Sequence, residues 1–199
     1  MRIIAGAYKG RRLATPRGER TRPTADQVRI ALLDTLMPWL PEARVLDLFA
    51  GGGGVGLEAL SRGAAHATFV ERDARAVQAL RANVTALGVE RAARIVRDDV
   101  RRALQTLRRD GGRFDVVFLD PPYDGDDVAT TLDTFGGVDL LADGAVVVAQ
   151  HLTKRAPPTS IGGLTAFRAR RFGETTLTFF GRDAPGVGPP PSTTEADSV

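Results

Sequence analysis

Apolar positions along the chain fall into two alternating kinds of segment. Short, nearly continuous apolar runs at 44–49, 66–70, 92–96, 114–119 and 144–150 have the length of strands buried on both faces. Four stretches set between them, 54–62, 74–87, 100–109 and about 126–135, carry apolar residues at helical spacing, and Gly88 is placed to cap the second. This alternation predicts a parallel sheet covered by helices on both sides. A further helix is predicted ahead of the first strand. Thr24 and Gln27 make a capping box, Val28, Ala31, Leu32 and Leu36 form one stripe, and Pro38 ends it.

The pattern changes at both ends. Ile3–Ala5 and Arg11–Ala14 read as two short strands around a glycine-bounded turn, too thin to hold a core of their own. Pro16 to Arg20 reads as a mobile loop. Leu164–Arg171 and Thr175–Phe180 flank the turn signal Phe172-Gly173-Glu174, so the last strand is predicted to run antiparallel. From Arg182 to Val199 the chain is rich in Pro, Gly, Ser and Thr and is expected to be disordered. The predicted organisation is a basic arm over 1–23, an α/β domain over 24–181 and a tail over 182–199.

Composition narrows the chemistry. The chain of 199 residues is 43% apolar, enough for one core. It has no cysteine, which excludes disulfides, thiolate metal sites and a cysteine nucleophile. His66 and His151 lie far apart and match no metal spacing, so no metal is called for. No run approaches the ~18 apolar residues of a membrane span, and no signal peptide is apparent, so a cytoplasmic protein with no membrane partner is expected. Net charge is only +3, yet residues 1–30 hold eight basic groups against two acids. That clustering, with Arg2, Lys9, Arg11, Arg12, Arg20 and Arg22 in it, marks an arm suited to a phosphate backbone; the alternative is a solvated arginine-rich surface.

Candidate chemistry gathers at the strand ends. After the first predicted strand, Gly51, Gly53 and Gly56 fit G-x-G-x-x-G, a bend that lets a nucleotide approach the backbone. Twenty residues beyond Gly51, Glu71 closes the second strand, where a carboxylate can accept from both ribose hydroxyls. These two features suit a dinucleotide or an adenosyl cofactor equally. Asp47 is read as an acceptor for the cofactor's ammonium group, or else as a cap of the glycine turn. The backbone from Asp47 to Gly56, Phe49 included, would face the methionine portion. One of Asp98 and Asp99 is expected to accept from the adenine amino group, though Asp99 also suits the N-cap of the next helix.

Asp120-Pro121-Pro122-Tyr123, directly after the fourth strand, is the most specific feature. An exocyclic amine is a poor nucleophile because its lone pair is delocalised into the ring. The Asp120 carboxylate and the Pro121 carbonyl offer two acceptors for its N–H groups, the prolines stiffen the loop without a competing N–H, and Tyr123 offers a stacking face for an extruded base. Together these features resemble an S-adenosylmethionine-dependent methyltransferase acting on an exocyclic amine. The expected fold is the class I methyltransferase fold, a Rossmann-like, mostly parallel sheet with an antiparallel terminal hairpin, plus a small N-terminal hairpin.

A narrower resemblance rests on Arg2-Ile3-Ile4-Ala5-Gly6, Gly10-Arg11-Arg12-Leu13, Arg22-Pro23-Thr24, Asp47-Leu48-Phe49-Ala50-Gly51, the run from Gly56 to Ala64, and Phe118 to Tyr123. These segments resemble the RsmD-type 16S rRNA guanine-N2 methyltransferases over about residues 1–181. The resemblance implies S-adenosyl-L-methionine as donor, S-adenosyl-L-homocysteine as product, and the N2 amine of a guanine in 16S rRNA as acceptor, within the 30S subunit or its assembly intermediate. It also implies that Arg22, Pro23 and Thr24 lie near cofactor and base, and that the N-terminal hairpin grips RNA; the protein is expected to act as a monomer. Gln150-His151 departs from the acid expected after the fifth strand. Two other readings of the same residues are an adenine-N6 methyltransferase of DNA or RNA, and a non-catalytic RNA-binding assembly factor. A nicotinamide oxidoreductase leaves D-P-P-Y without a role.

Overall fold

The computed structural model describes residues 1–15, 23–122, 127–136 and 138–182, without the side chains of residues 23–25, 127 and 136. The predicted loop at 16–20, Arg20, Arg22, Tyr123 and the tail from 183 therefore lie outside the described residues, as does the Thr24 side chain of the expected capping box.

The helices are α1 (Pro23–Leu36), α2 (Gly54–Ser61), α3 (Ala74–Leu87), α4 (Val100–Arg109) and α5 (Asp127–Gly136). The strands are β1 (Arg44–Leu48), β2 (His66–Val70), β3 (Ala93–Val96), β4 (Phe114–Leu119), β5 (Leu141–Leu152), β6 (Ser160–Ile161), β7 (Leu164–Phe172) and β8 (Thr175–Gly181). They form one sheet in the order β3-β2-β1-β4-β5-β8-β7-β6, parallel as far as β5 and antiparallel beyond it. Strand order reverses between β1 and β4. There the carboxyl ends of two neighbouring strands open a crevice, with Leu48 in register with Leu119.

Both faces of the sheet are apolar, which explains the continuous apolar runs. Val45, Phe69, Phe118 and Val148 pack with α1, α2 and α3, while Leu46, Leu48, Val117 and Val147 pack with α4 and α5. Helix ends follow local chemistry. Asp73 caps α3 through the amides of Arg75 and Ala76, and Gly88 closes that helix at a φ of 72°.

Two elements differ from the predicted pattern. β5 begins three residues early, at Leu141, because the pairing with β4 skips from Phe114–Leu141 to Val116–Val146 and loops out the polar stretch that hid the strand's start. The N-terminal segment forms one isolated antiparallel pair, Arg2 with Arg12, in place of two regular strands. Backbone bonds from Ile3 N to Arg11 O, Gly10 N to Ile3 O and Leu13 N to Met1 O close it as a loop.

That loop is held by buried polar side chains of the helices beneath it. Glu58 on α2, 1% exposed, accepts from the amides of Ile4 (2.8 Å) and Ala5 (2.9 Å) and pairs with Arg62 Nε at 3.1 Å. Ser61 donates to Ala5 O and accepts from the Tyr8 amide. Gly6, at a φ of 80°, approaches so closely that a Cβ there would stand 1.7 Å from Ser61 O. Ile3 and Leu13 meanwhile enter the same apolar cluster as α1 and α2. The segment has no core of its own because it completes this one.

Removing the Glu58 carboxylate would leave the amides of Ile4 and Ala5 and the Arg62 Nε without their acceptor, while Arg62 Nη1 keeps Asp34. Glu58→Ala is expected to lower the unfolding free energy by roughly 3–5 kcal/mol in urea denaturation. A loss under about 1 kcal/mol would show that the segment is not anchored through this side chain.

Candidate active site at the strand ends

β1 ends in a bend that few sequences could follow. Phe49 and Gly51 adopt φ values of 60° and 54°, and Gly53 follows at 82°. A side chain on Phe49 in that region is strained, a cost that persists only where surrounding contacts demand it. Those contacts are present. The Ala50 amide donates to Val70 O on β2, and the Gly53 amide turns back to Ala50 O. Asp47 Oδ2 accepts from the Gly56 amide at 2.9 Å, drawing the start of α2 onto the end of β1. Gly56 has no room for anything larger, since a Cβ would stand 2.4 Å from Phe69 Cε1. At Gly51, by contrast, the same position faces open space.

Glu71, at the end of β2, reaches across to this bend. Its Oε2 accepts from the Gly51 amide at 2.9 Å and its Oε1 from the Asp73 amide at 2.8 Å. Each oxygen keeps a second lone pair, so the carboxylate is oriented without being used up. Asp47 is fully buried, and its carboxyl is pushed up to about 8. Desolvation is the main cause, opposed by the Gly56 amide; the nearby charges of Asp120 and Glu71 push it further. Asp47, Glu71 and Asp120 are thus within electrostatic reach of one another around the strand ends.

The remaining expected cofactor residues have other partners. Asp99 caps α4 by accepting from the Arg101 amide at 3.0 Å, the alternative role that the sequence allowed. Asp98 accepts from the Asp99 amide and from Arg102 Nε at 2.8 Å, and the Arg102 bond holds its carboxyl below the usual range. Thr24 lies in the first turn of α1. Arg2, Lys9, Arg11 and Arg12 are all exposed on the N-terminal segment, and Arg11 bonds to Ala86 O at the end of α3.

Two residues that sequence reasoning passed over connect that segment to the bend. Asn83 on α3 accepts from the Ala14 amide and donates to both Ala14 O and Gly52 O, the last at 2.8 Å. Arg29 on α1, 7% exposed, donates from Nη2 to Arg2 O and pairs with Asp26. Its Nη1 is buried, has no hydrogen-bond partner among the described residues and lies 3.4 Å from where a Cβ on Gly54 would stand. A buried guanidinium nitrogen without a partner beside a helix N-terminus is a donor suited to an anionic group.

On the other side of Asp120, a cleft of about 400 Å³ opens between β4, β5 and α5. Pro121 and Pro122 line one wall, with Val128, His151, Leu152 and Arg155 around them. His151 is locked in place. Its Nδ1 lies 2.9 Å from Leu152 O, which can only accept, so Nδ1 carries a proton and Nε2 meets Thr178 Oγ1 at 2.8 Å. The departure noted at Gln150-His151 therefore puts a fixed ring, not an acid, at His151 on this wall.

The family model for conserved hypothetical protein 95 matches residues 1–181 of the chain. Bacillus subtilis YlbH is 36% identical over 180 residues, covering 90% of this chain and 98% of that protein. The ribosomal RNA small subunit methyltransferase D of Escherichia coli K12 is 34% identical over 186 residues, covering 94% of this chain and 92% of its own. The solved structure of Escherichia coli yhhF superposes with a TM-score of 0.78 at 34% identity, over 93% of this chain and 99% of that one. At 16% identity and a TM-score of 0.66, the fold alone is shared with SMU.776, solved with S-adenosylhomocysteine, over 80% of this chain and 50% of that one. The sheet is that of the S-adenosylmethionine-dependent methyltransferases, with the antiparallel strands at its end.

Asp47 gives a pH signature. Unfolded, its carboxyl titrates near ~4; folded, it holds its proton until about 8. Stability from this group is full below the first value and is lost as pH rises to the second, because the unfolded chain then binds fewer protons than the folded one. Asp47→Asn keeps an oxygen for the Gly56 amide and removes the titration. Without ligand, the variant's unfolding free energy should gain on wild type steadily as pH is raised across that window. Parallel pH profiles would show that Asp47 is ionised and hydrated in the folded protein.

Proposed function

The chain belongs to the RsmD family, and from that premise we propose that it transfers a methyl group from S-adenosylmethionine to an exocyclic amine of small-subunit ribosomal RNA. The finer reading is the N2 amine of one guanine in 16S rRNA, presented by the 30S subunit or its assembly intermediate. The observation that supports methyl transfer is the pairing of Leu48 with Leu119. It sets the glycine bend and the Asp120-Pro121 corner side by side at the point where strand order reverses, so donor and acceptor sites adjoin.

The residues fit the cofactor. Open space at Gly51 allows close approach of a ligand to the backbone. Glu71 has lone pairs left for two ribose hydroxyls, and the buried Asp47 carboxyl can meet an ammonium group. Arg29 Nη1, beside Gly54 and without a partner among the described residues, suits the carboxylate of the amino-acid portion. Asp98 and Asp99 are each bonded through Oδ1, and one of the two would accept from the adenine amine. When bound, S-adenosylmethionine supplies a methyl group activated by its sulfonium.

The chain's own work is placement and charge. Asp120 Oδ and Pro121 O would accept the two amine N–H bonds and draw the nitrogen lone pair out of conjugation. As the amine becomes cationic, Asp120 stabilises the charge and stands to receive the proton that is shed. Pro121 and Pro122 hold the corner rigid on the cleft wall. Tyr123 would stack on the base, and Arg22, Pro23 and Thr24 would lie near the cofactor and the base. Arg2, Lys9, Arg11, Arg12 and Arg20 would meet RNA phosphates.

Purified 30S particles and naked 16S rRNA, incubated with labelled donor and digested to nucleosides, test the assignment. The expected product is 2-methylguanosine in the particle; 6-methyladenosine would overturn the guanine reading, and no transfer to either RNA would overturn the whole. Asp120→Ala is expected to cut kcat by about 10²–10³ while S-adenosylhomocysteine and RNA affinities hold. Asp120→Asn, which retains one acceptor oxygen, should lose far less. Unchanged turnover in the alanine variant would remove Asp120 from the reaction.

A further inference from the structure

The second half of the sheet carries a concentration of positive charge as marked as the N-terminal arm. Residues 152–182 hold six basic groups, Lys154, Arg155, Arg168, Arg170, Arg171 and Arg182, against the single acid Glu174. Arg182 pairs with Asp139, and Arg170 donates to Thr35 Oγ1 and Ala31 O on α1 while lying over the Phe172 ring.

Lys154, Arg155 and Arg171 are exposed and gathered at one place, the rim of the cleft. Arg155 lines the cleft itself. The short turn Thr153–Arg155 is tied to the β7–β8 turn by bonds from Thr153 N to Glu174 O (2.7 Å) and from Thr153 Oγ1 to Gly173 O. Sheet register completes the row. His151 on the cleft wall pairs with Thr176, and Thr176 pairs with Arg171. Directly paired residues share a face, so Arg171 stands on the same side of the sheet as His151, two strand spacings or about 10 Å away.

The pairing of charges separates Lys154 and Arg171 from the opposite end of the strands. At that far end Arg94 pairs with Asp110, and Arg113 with Asp139. Among the described residues, Lys154 and Arg171 form no ion pair; Arg171 Nε is steadied only by Gly173 O. Exposed cations such as Lys154 and Arg171 beside the cleft suit a nucleic-acid backbone, because phosphates then replace counterions and not a protein partner.

We propose that the RNA strand flanking the target base leaves the cleft across the β5–β8–β7 end of the sheet, its phosphates met by Arg155, Lys154 and Arg171. This rests on the reading of the chain as an RNA methyltransferase and adds a second contact surface, across the active site from the N-terminal arm. The base enters beside Asp120 and is held from both sides. The arm and this rim fix the register of the strand, and the cleft reads the base.

The test compares the double variant K154A/R171A with R91A/R108A, which removes two exposed arginines from the far end of the strands. Both variants change net charge equally. With 30S particles as substrate, K154A/R171A is expected to raise KM for RNA roughly tenfold and to lower the slope of log KM against log salt by about 1.5, the share of two phosphate contacts. Turnover at saturating RNA and affinity for S-adenosylhomocysteine should stay within about twofold. The far-end variant should match wild type. An unchanged RNA KM and salt slope would overturn the proposal. An equal effect in both variants would overturn it too, by reducing it to net charge, and so would a matching loss of S-adenosylhomocysteine affinity, by making the side chains structural. A wild-type protein that methylates no RNA would instead remove the functional reading on which the proposal stands.

Discussion

A carboxyl group sealed from water, Asp47, is bonded to the amide of Gly56 nine residues ahead of it. To make that bond the chain must leave β1, reverse and enter α2 within a bend that forces Phe49 and Gly51 into positive φ. The cost is tolerable because the bend is secured on several sides: by Val70 O, by Glu71 on the Gly51 amide and by Asn83 on Gly52 O. Phe69 closes it from below, against a glycine that has no side chain to move. The result is a backbone cradle fixed by the chain's own hydrogen bonds, which is the condition for binding with little reorganisation. At Gly51 a Cβ would meet nothing, so the cradle is open to close approach there.

The N-terminal segment belongs to the same construction. Its backbone is bonded to Glu58, Ser61 and Asn83, and Asn83 in turn holds the glycine bend. Arg29 ties Arg2 O to α1 and leaves a charged nitrogen beside Gly54. A strand of RNA pulling on the exposed arginines would thus pull on residues bonded directly to the cradle. In the proposed reading, recognition and methyl transfer share one set of hydrogen bonds, and this is the physical reason for a basic arm with so little secondary structure of its own.

What could be read in the sequence was whatever is local. Strands and helices followed from period, and the glycine bend, Glu71 and Asp120 from their places at strand ends. Asp99 was legible as a cap because capping acts over two or three residues. Asn83, Glu58 and Ser61 were not, since their partners are backbone atoms 53 to 69 residues away and carry no sequence mark. The faint signal was a glutamate and a serine on the inner face of an otherwise apolar helix, α2. The early start of β5 was hidden by the loop-out around Asp143 and Gly144. The basic rim escaped because Lys154 and Arg171 are far apart in the chain and meet only when the terminal hairpin folds back on β5.

The most direct test of the account is a crystal structure of the protein with S-adenosylhomocysteine. The account predicts the ribose on Glu71, the amino-acid portion at the bend between Asp47 and Gly54, and the sulfur directed at the Asp120-Pro121 corner, with the backbone from Phe49 to Gly56 unmoved. A ligand bound elsewhere, or a bend that must refold to accept it, would contradict the claim that the buried Asp47–Gly56 bond builds the site in advance.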